Sequence, residues 1–232
     1  MKRLIKRLLS LVLIAVLCFG AYLVSSGYVM YKNATKDRSV QEAVAALRRS
    51  EKYTTLEEIP DIYEKAVVAT EDHRFYSHPG IDLFSVLRAL VENIKTKEFS
   101  QGGSTITQQV AKNMFFSNEK TLSRKVAELF AVYELEDNYA KNVILELYMN
   151  TVYYGDGYYC IRDAAKGYFK CLPSEMTDYQ CTMLAGIPNA PSVYAPTKNL
   201  ELAEKRQEHV LSRMVDRKAL TKEEAEQILS KR

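Results

Sequence analysis

Residues 101–130 concentrate side chains that could bind a ligand carrying both phosphate and hydroxyl groups. The segment opens with Gly102 and Gly103, whose missing side chains let the backbone approach a ligand closely. Hydroxyl, amide, cationic and carboxylate groups follow within about thirty residues, from Ser104, Gln108, Gln109, Lys112, Arg124, Lys125 and Glu128. Because Arg grips phosphate with two donors and Lys supplies a compact charge, this mixture predicts a phosphate-bearing, hydroxyl-rich ligand.

Two cations and one carboxylate of this segment share one side of a helix predicted over residues 121–137. At about 100° per residue, Glu128 falls roughly 40° from Arg124 and Lys125 about 100° from it. The apolar side chains lie on the opposite side and predict a face that packs: Leu122, Val126, Phe130 and Tyr133. The alternative is a salt bridge on a solvated face, which would contribute only about 0.2–0.5 kcal/mol.

A second candidate site lies at Glu71 and Asp72, near the end of a predicted helix and one turn before Phe75. A carboxylate that faces a cleft can act as a general acid or base when its pKa lies near the working pH. The alternative is a solvated Glu71. His78 precedes the Pro79-Gly80 turn, and a structural role in that turn is favoured.

The N-terminal region predicts a membrane anchor. Lys2, Arg3, Lys6 and Arg7 precede residues 8–31, which carry no charge and are mostly apolar. These residues would form about 36 Å of helix, enough to cross a hydrocarbon core of about 30 Å with some tilt. The preceding cations place the N-terminus in the cytoplasm and the rest outside. The alternative is a cleaved signal peptide, but the apolar run is long and no clear A-x-A site follows it.

The remaining pattern is helical throughout, so the predicted fold class is all-α. The boundaries are a cytoplasmic tail over 1–7, an anchor over 8–31, a linker over 32–50 and one domain over 51–232. Helices are predicted near 36–50 (or a linker there), 60–75, 82–97, 104–114, 121–137, 139–150, 161–169, 174–185, 200–216 and 221–231. A turn is expected over 153–159, and residues 187–196, with three prolines, are expected to form an ordered loop.

Charge and cysteine content argue against a nucleic-acid-binding protein and against a zinc protein. The formal net charge is +3, and without the four N-terminal cations the chain is nearly neutral, which argues against nucleic-acid binding. Outside the anchor stand three cysteines with spacings unlike zinc sites, Cys160, Cys171 and Cys181. They are predicted to be small buried side chains, with or without one disulfide.

Five motifs in order resemble those of the peptidoglycan glycosyltransferases of glycosyltransferase family 51. The first combines Glu71-Asp72-x-x-Phe75-x-x-His78-x-Gly80, and the second runs over residues 103–109 with Lys112-Asn113. The third is Arg124-Lys125-x-x-Glu128, and the fourth spans 141–150 with Met149 where Leu is usual. The fifth is Arg206-x-x-x-Val210-Leu211. The resemblance covers about residues 50–215, and the anchor without a second large domain resembles the monofunctional form.

The resemblance implies a lysozyme-like helical domain with a head lobe and a membrane-dipping jaw lobe. It implies polymerisation of lipid II, the undecaprenyl-diphosphate-linked disaccharide, into β-1,4 glycan strands. Glu71 would be the general base, kept ionised by nearby cations, and Glu128 would position the donor diphosphate or a divalent ion. The implied substrate-binding residues are Asp72, Ser104, Gln108, Gln109, Lys112, Arg124 and Lys125.

The resemblance also implies the surroundings of the site. A divalent ion, Mg²⁺ or Mn²⁺, is a candidate cofactor, with Glu128 as its candidate ligand, and no organic cofactor is expected. The expected partners are lipid II, the nascent glycan strand and the membrane, with penicillin-binding transpeptidases and cell-division proteins as further candidates. Apolar residues at Leu83-Phe84 and Met114-Phe115-Phe116 could dip into the bilayer interface or pack in the core.

Two other functions remain open. A lysozyme-like glycan hydrolase would use Glu71 as a general acid and water as the nucleophile, but hydrolysis of a neutral glycan does not need the cations. A non-catalytic, membrane-anchored scaffold would not need Glu71 and Glu128, and both are present.

Overall fold

A computed structural model describes residues 2–85, 87, 103–117 and 119–231. Within these ranges every regular element is helical, which confirms the all-α prediction. The helix predicted over 82–97 lies mostly outside the described residues, although 83–85 and 87 are helical. Gly102 also lies outside them.

Eleven α-helices of the described chain are labelled here in order. They are α1 Lys2–Ala34, α2 Val40–Arg48, α3 Asp61–Glu71, α4 Ile106–Phe115, α5 Leu122–Asn138, α6 Lys141–Met149, α7 Ile161–Ala164, α8 Asp178–Gly186, α9 Pro191–Tyr194, α10 Leu200–Asp216 and α11 Lys222–Leu229. Short 3-10 turns occupy Leu56–Glu58, Phe75–Ser77, Pro173–Glu175 and Ile187–Asn189, and a π-helical turn occupies Ala165–Phe169.

Helix α1 is one continuous helix of 33 residues. Its segment Arg3–Ala34 is long and apolar enough to cross a membrane. The segment predicted as helix or linker contains α2, which starts at a capping box formed by Ser39 and Glu42. Because Val40 and Val44 are buried in the core, this helix is part of the folded domain.

Helix α3 ends at Glu71, four residues before the predicted end at Phe75. The physical reason is Asp72, whose extended backbone (φ −154°) leaves the helix while its side chain bonds elsewhere. The predicted loop over 187–196 is also partly helical, because it contains a 3-10 turn and α9. The predicted turn over 153–159 is confirmed, with Gly155, Asp156 and Gly157 all at positive φ.

The core lies where α3, α4, α5, α6, α8 and α10 meet. Three tyrosines are fully buried there: Tyr63, Tyr148 and Tyr154. Cys160 and Cys181 are buried and Cys171 is half-buried, and all three are free thiols. They therefore act as small core side chains, without a disulfide.

Candidate active site

Glu71 is held at the C-terminal end of α3 by the neighbouring helix α4. The Gln109 amide donates a hydrogen bond of 2.8 Å to Glu71 Oε2. Burial raises the pKa of the Glu71 carboxyl above its usual value, and the Gln109 hydrogen bond and Arg206 only partly offset this. Desolvation is therefore the largest effect on this carboxyl, and its ionisation at neutral pH beside the cations stays a prediction.

Asp72 joins three segments around the site. Its Oδ2 accepts a hydrogen bond of 3.1 Å from the Ile106 amide at the start of α4. His78 Nε2 lies 3.0 Å from Asp72 Oδ1, in agreement with the structural role predicted for this histidine. Asp72 is buried, and both carboxylate oxygens have protein partners. The geometry therefore makes it a positioning residue beside Glu71, while contact with a substrate stays a prediction.

The start of α4 is a capping box. The backbone amide of Gln108 donates a hydrogen bond of 3.1 Å to the Thr105 hydroxyl. In return, the backbone amide of Thr105 donates one of 2.9 Å to the side-chain oxygen of Gln108. This cap places Gln108 and Gln109 on the first turn, where Gln109 reaches Glu71. Ser104, directly before the cap, accepts a hydrogen bond of 3.4 Å from Lys125 Nζ. The predicted polar residues of α4 are thus brought together with the cations of α5.

Glu128 is fully buried beneath two cations of its own helix. Its carboxylate pairs with Arg124, which is also buried, and lies 2.8 Å from Lys125 Nζ. The alternative of a salt bridge on a solvated face is therefore wrong, because helix packing covers this side of α5. A metal ion at Glu128 would have to displace both cations, so these residues do not fit a divalent-ion ligand.

Lys112 and Lys125 carry a local excess of positive charge. Partial burial, together with the nearby Arg124 guanidinium, lowers the pKa of both ammonium groups. One carboxylate, Glu128, stands against three cations, so an anion bound here would relieve their mutual repulsion. The cluster is therefore suited to a multiply charged anion such as a diphosphate.

These groups line one cleft of about 340 Å³. One wall carries Glu71, Asp72, Gln108 and Gln109, and the cations Lys112 and Lys125 lie in the same cleft beside Ser104. Arg124 and Glu128 do not line it and lie behind Lys125. The structure therefore brings together the predicted site residues, seven at the cleft surface and two behind it.

Four basic residues of the cleft were missed as site residues. Helix α10 and the residue that follows it contribute Arg206, His209, Arg213 and Arg217 to the lining. Their spacing of three, four and four residues marks one side of a helix, and this signal could have identified them. Arg206 also donates a 3.2 Å hydrogen bond to the Gly186 carbonyl, which ties α10 to α8.

The apolar residues near the cleft divide into two groups. Leu83 and Phe84 are 69% and 74% exposed. Met114, Phe115 and Phe116 are half-buried against the core. These residues were predicted either to dip into the bilayer interface or to pack in the core. Met114, Phe115 and Phe116 pack against the core, while Leu83 and Phe84 remain available for a membrane.

The fold and the cleft agree with the class that the motifs indicate, an all-helical glycosyltransferase domain. A model of the transglycosylase family matches residues 36–215. The chain therefore belongs to this family.

Known relatives of two kinds are similar to this chain. A putative transglycosylase of Cupriavidus necator is 41% identical over 216 residues, which cover 93% of this chain and 91% of the relative. Penicillin-binding protein 1A of Neisseria lactamica is 42% identical over 77% of this chain, and penicillin-binding protein 1A/1B of Bacillus subtilis is 43% identical over 79%. The chain spans only 22% and 20% of these two longer proteins. The crystal structure of penicillin-binding protein 1A from Haemophilus influenzae is 29% identical, with a TM-score of 0.36 over 53% of this chain and 15% of that chain.

Proposed function

We propose that this protein polymerises lipid II into β-1,4 glycan strands of peptidoglycan at the outer face of the cytoplasmic membrane. The observation that carries the proposal is the composition of one cleft, which holds a half-buried carboxylate, Glu71, together with the cations Lys112 and Lys125. Transfer of a sugar from a diphosphate carrier needs both, a base for the acceptor hydroxyl and positive charge for the leaving group.

Glu71 acts as the base in this proposal. Its carboxylate takes the proton from the acceptor sugar hydroxyl while that oxygen forms a bond to the donor anomeric carbon. The bond from this carbon to the diphosphate oxygen breaks on the opposite face, which inverts the configuration. A pKa raised by burial makes Glu71 a stronger base than an exposed glutamate, and Gln109 fixes the orientation of its carboxylate.

The cations act on the leaving group. Negative charge grows on the diphosphate as the glycosidic bond breaks, so Lys112 and Lys125 stabilise the transition state more than the ground state. Glu128 holds Lys125 from behind and is itself paired with Arg124. Because Glu128 is already paired with two cations, no step is assigned to a metal ion.

The hydrolase and scaffold alternatives are less compatible with this cleft. A hydrolase acting on a neutral glycan would gain nothing from Lys112 and Lys125, whose burial lowers their pKa values. A scaffold would gain nothing from a carboxylate whose pKa burial raises. The anchor supports a lipid-linked substrate, and the four cations before it support the outward orientation of the domain.

The test is incubation of the purified full chain with lipid II, followed by gel separation of polymer from monomer. Wild type and the exposed control Glu57→Gln should form polymer, and Glu71→Gln should not. Substantial polymer from Glu71→Gln would exclude Glu71 as the base. Shortening of preformed glycan by the wild type, without polymerisation, would support the hydrolase.

A further inference from the structure

The outward end of the anchor helix is packed onto the helix that carries the cation cluster. From Leu23 onward, the residues of α1 that lose exposure form one stripe at helical spacing, Leu23, Ser26, Gly27, Met30, Tyr31 and Ala34. This stripe faces α5, and the α1–α5 contact is the most extensive interhelical contact among the described residues. Side chains from Leu4 to Phe19 are exposed. Helix α1 therefore has a free lipid-facing part and a docked part.

Gly27 stands at a close approach between the two helices, where a side chain would not fit. A Cβ atom at this position would lie 2.6 Å from Val126 Cγ1 and 3.1 Å from the Ala127 amide nitrogen. Val126 and Ala127 stand between Lys125 and Glu128 in the chain, so any displacement here moves the cation cluster. Gly20, two turns earlier in α1, would meet nothing within 4 Å.

Contacts on either side of Gly27 fix the register and direction of the packing. The Ser26 hydroxyl donates a 3.0 Å hydrogen bond to Ser123 Oγ at the start of α5. Further along both helices, the Tyr28 and Tyr31 rings lie 5.3 Å and 5.8 Å from the Phe130 ring. The two helices therefore run parallel, and the first turn of α5 is the turn nearest the membrane.

An upright anchor whose inner boundary is Leu8, the first residue after the N-terminal cations, would place that turn near the bilayer surface. The twenty residues from Leu8 to Gly27 form about 30 Å of helix, the thickness of a hydrocarbon core. Ser26 and Gly27 then lie at its outer boundary, and Arg124 and Lys125 lie at the same level. A diphosphate headgroup of a membrane lipid would occupy this level.

We propose that Gly27 is a positioning residue. Because it lets the anchor dock closely on α5, it fixes the position of the Arg124–Lys125–Glu128 cluster relative to the diphosphate headgroup of a membrane lipid. The anchor is then part of the active-site structure as well as a membrane tether. The role of the cluster rests on the proposed function, but the packing and its effect on anion binding can be measured without polymerisation.

The test compares two glycines of the same helix in the full chain, purified in detergent. Gly27→Leu should raise KM for lipid II and weaken binding of inorganic diphosphate, measured by calorimetry, by about 10–100-fold, because displacements near 1 Å have effects of this size. Gly20→Leu should match the wild type within about twofold. Gly27→Ala alone should also lose diphosphate affinity. The double variant Gly27→Ala with Val126→Gly moves the small residue to the other helix, and it should recover most of that loss.

The outcomes separate this inference from the proposed function. Equal KM and diphosphate affinity for Gly27→Leu, Gly20→Leu and wild type would overturn the positioning role, whether or not the protein polymerises lipid II. If wild type binds diphosphate in a Gly27-dependent way but forms no polymer, the positioning role stands and the proposed function fails. If Gly27→Leu does not fold, the comparison of Gly27→Ala with the exchanged pair decides, and absence of recovery there would also overturn the role.

Discussion

Replacement of Glu71 by Gln should make the protein more stable at neutral and basic pH while it removes activity. In the unfolded chain a glutamate titrates near pH 4.3. Burial raises the pKa of Glu71 in the folded state, so the folded protein holds this proton more tightly than the unfolded chain does. Below about pH 4 both states are protonated and the carboxyl has no effect on the free energy of unfolding. As the pH rises, ionisation increasingly destabilises the folded state.

Gln removes this penalty and keeps the local hydrogen bonding. An amide oxygen at position 71 can still accept the bond that Gln109 donates to Glu71 Oε2. Each tenfold increase in proton affinity on folding corresponds to about 1.4 kcal/mol. For a chain of this size 1 kcal/mol shifts the melting temperature by about 2–4 °C, so each tenfold should give a gain of about 3–6 °C.

The assay is thermal denaturation followed by circular dichroism at pH 4 and pH 8, in one detergent, for wild type and Glu71→Gln. The difference in melting temperature should be near zero at pH 4 and positive at pH 8. The exposed control Glu57→Gln should change little at either pH. A lower melting temperature for Glu71→Gln at pH 8, or the same difference at both pH values, would refute a carboxyl destabilised by burial.

Three further predictions concern the buried ion pair, the core tyrosines and the membrane surface. Glu128→Ala should lower stability by about 3–5 kcal/mol in urea denaturation, because it leaves the buried Arg124 unpaired; an unchanged midpoint would show that the ion pair contributes little. Tyr148→Phe should not lower the melting temperature, because within the described residues the Tyr148 hydroxyl has no hydrogen-bond partner. Tyr63→Phe should lower stability by about 1 kcal/mol, because it breaks the 2.6 Å bond to the Tyr154 hydroxyl, and equal effects of the two variants would contradict this difference. The chain has no Trp, so Leu122→Trp and Tyr133→Trp in proteoliposomes give single reporters on two exposed positions of α5. Brominated lipid should quench only the first, since they lie about 16 Å apart along the helix, and equal quenching would contradict the parallel packing of α1 and α5.

Helix ends that are fixed by residues close by in the chain could be predicted from the sequence. Helix α10 has the predicted bounds, because the Asn199 side chain caps its first turn by accepting from the Leu202 amide at 3.0 Å. The end of α3 was placed wrongly because it depends on Asp72, whose partner Ile106 is 34 residues away in the chain. A contact of that range leaves no periodic signal near residue 72.

The residue types of the site were readable from the sequence, but their burial was not. The helical pattern placed Arg124, Lys125 and Glu128 on one side of α5 without showing which surfaces would cover that helix. Packing against α4 and α1 from different sides made Glu128 the most buried of the three. Four apolar residues were predicted to pack on the opposite side of α5. Of these, Val126 and Phe130 are packed, whereas Leu122 and Tyr133 are exposed.

The effect of burial on the pKa of Glu71 could not be read from the sequence, for a related reason. The sequence shows how many cations the chain has, and the cluster at Lys112, Arg124 and Lys125 was visible. It does not show how much water each carboxyl loses on folding. That loss depends on how α3 packs against its neighbours α8 and α10, and it outweighs the nearby charges at this position.

The start of α4 has a consequence for how tightly an anion can be held. Helix N-termini commonly bind phosphate through their free amides. Here the Ile106 amide is bonded to Asp72 and the Gln108 amide to Thr105, so these two donors are already used. Binding of a diphosphate then depends on side-chain cations such as Lys125, whose side chain is 46% exposed and open to screening by salt. Because this attraction is screened by salt, the affinity of the cleft for diphosphate should fall as the ionic strength rises.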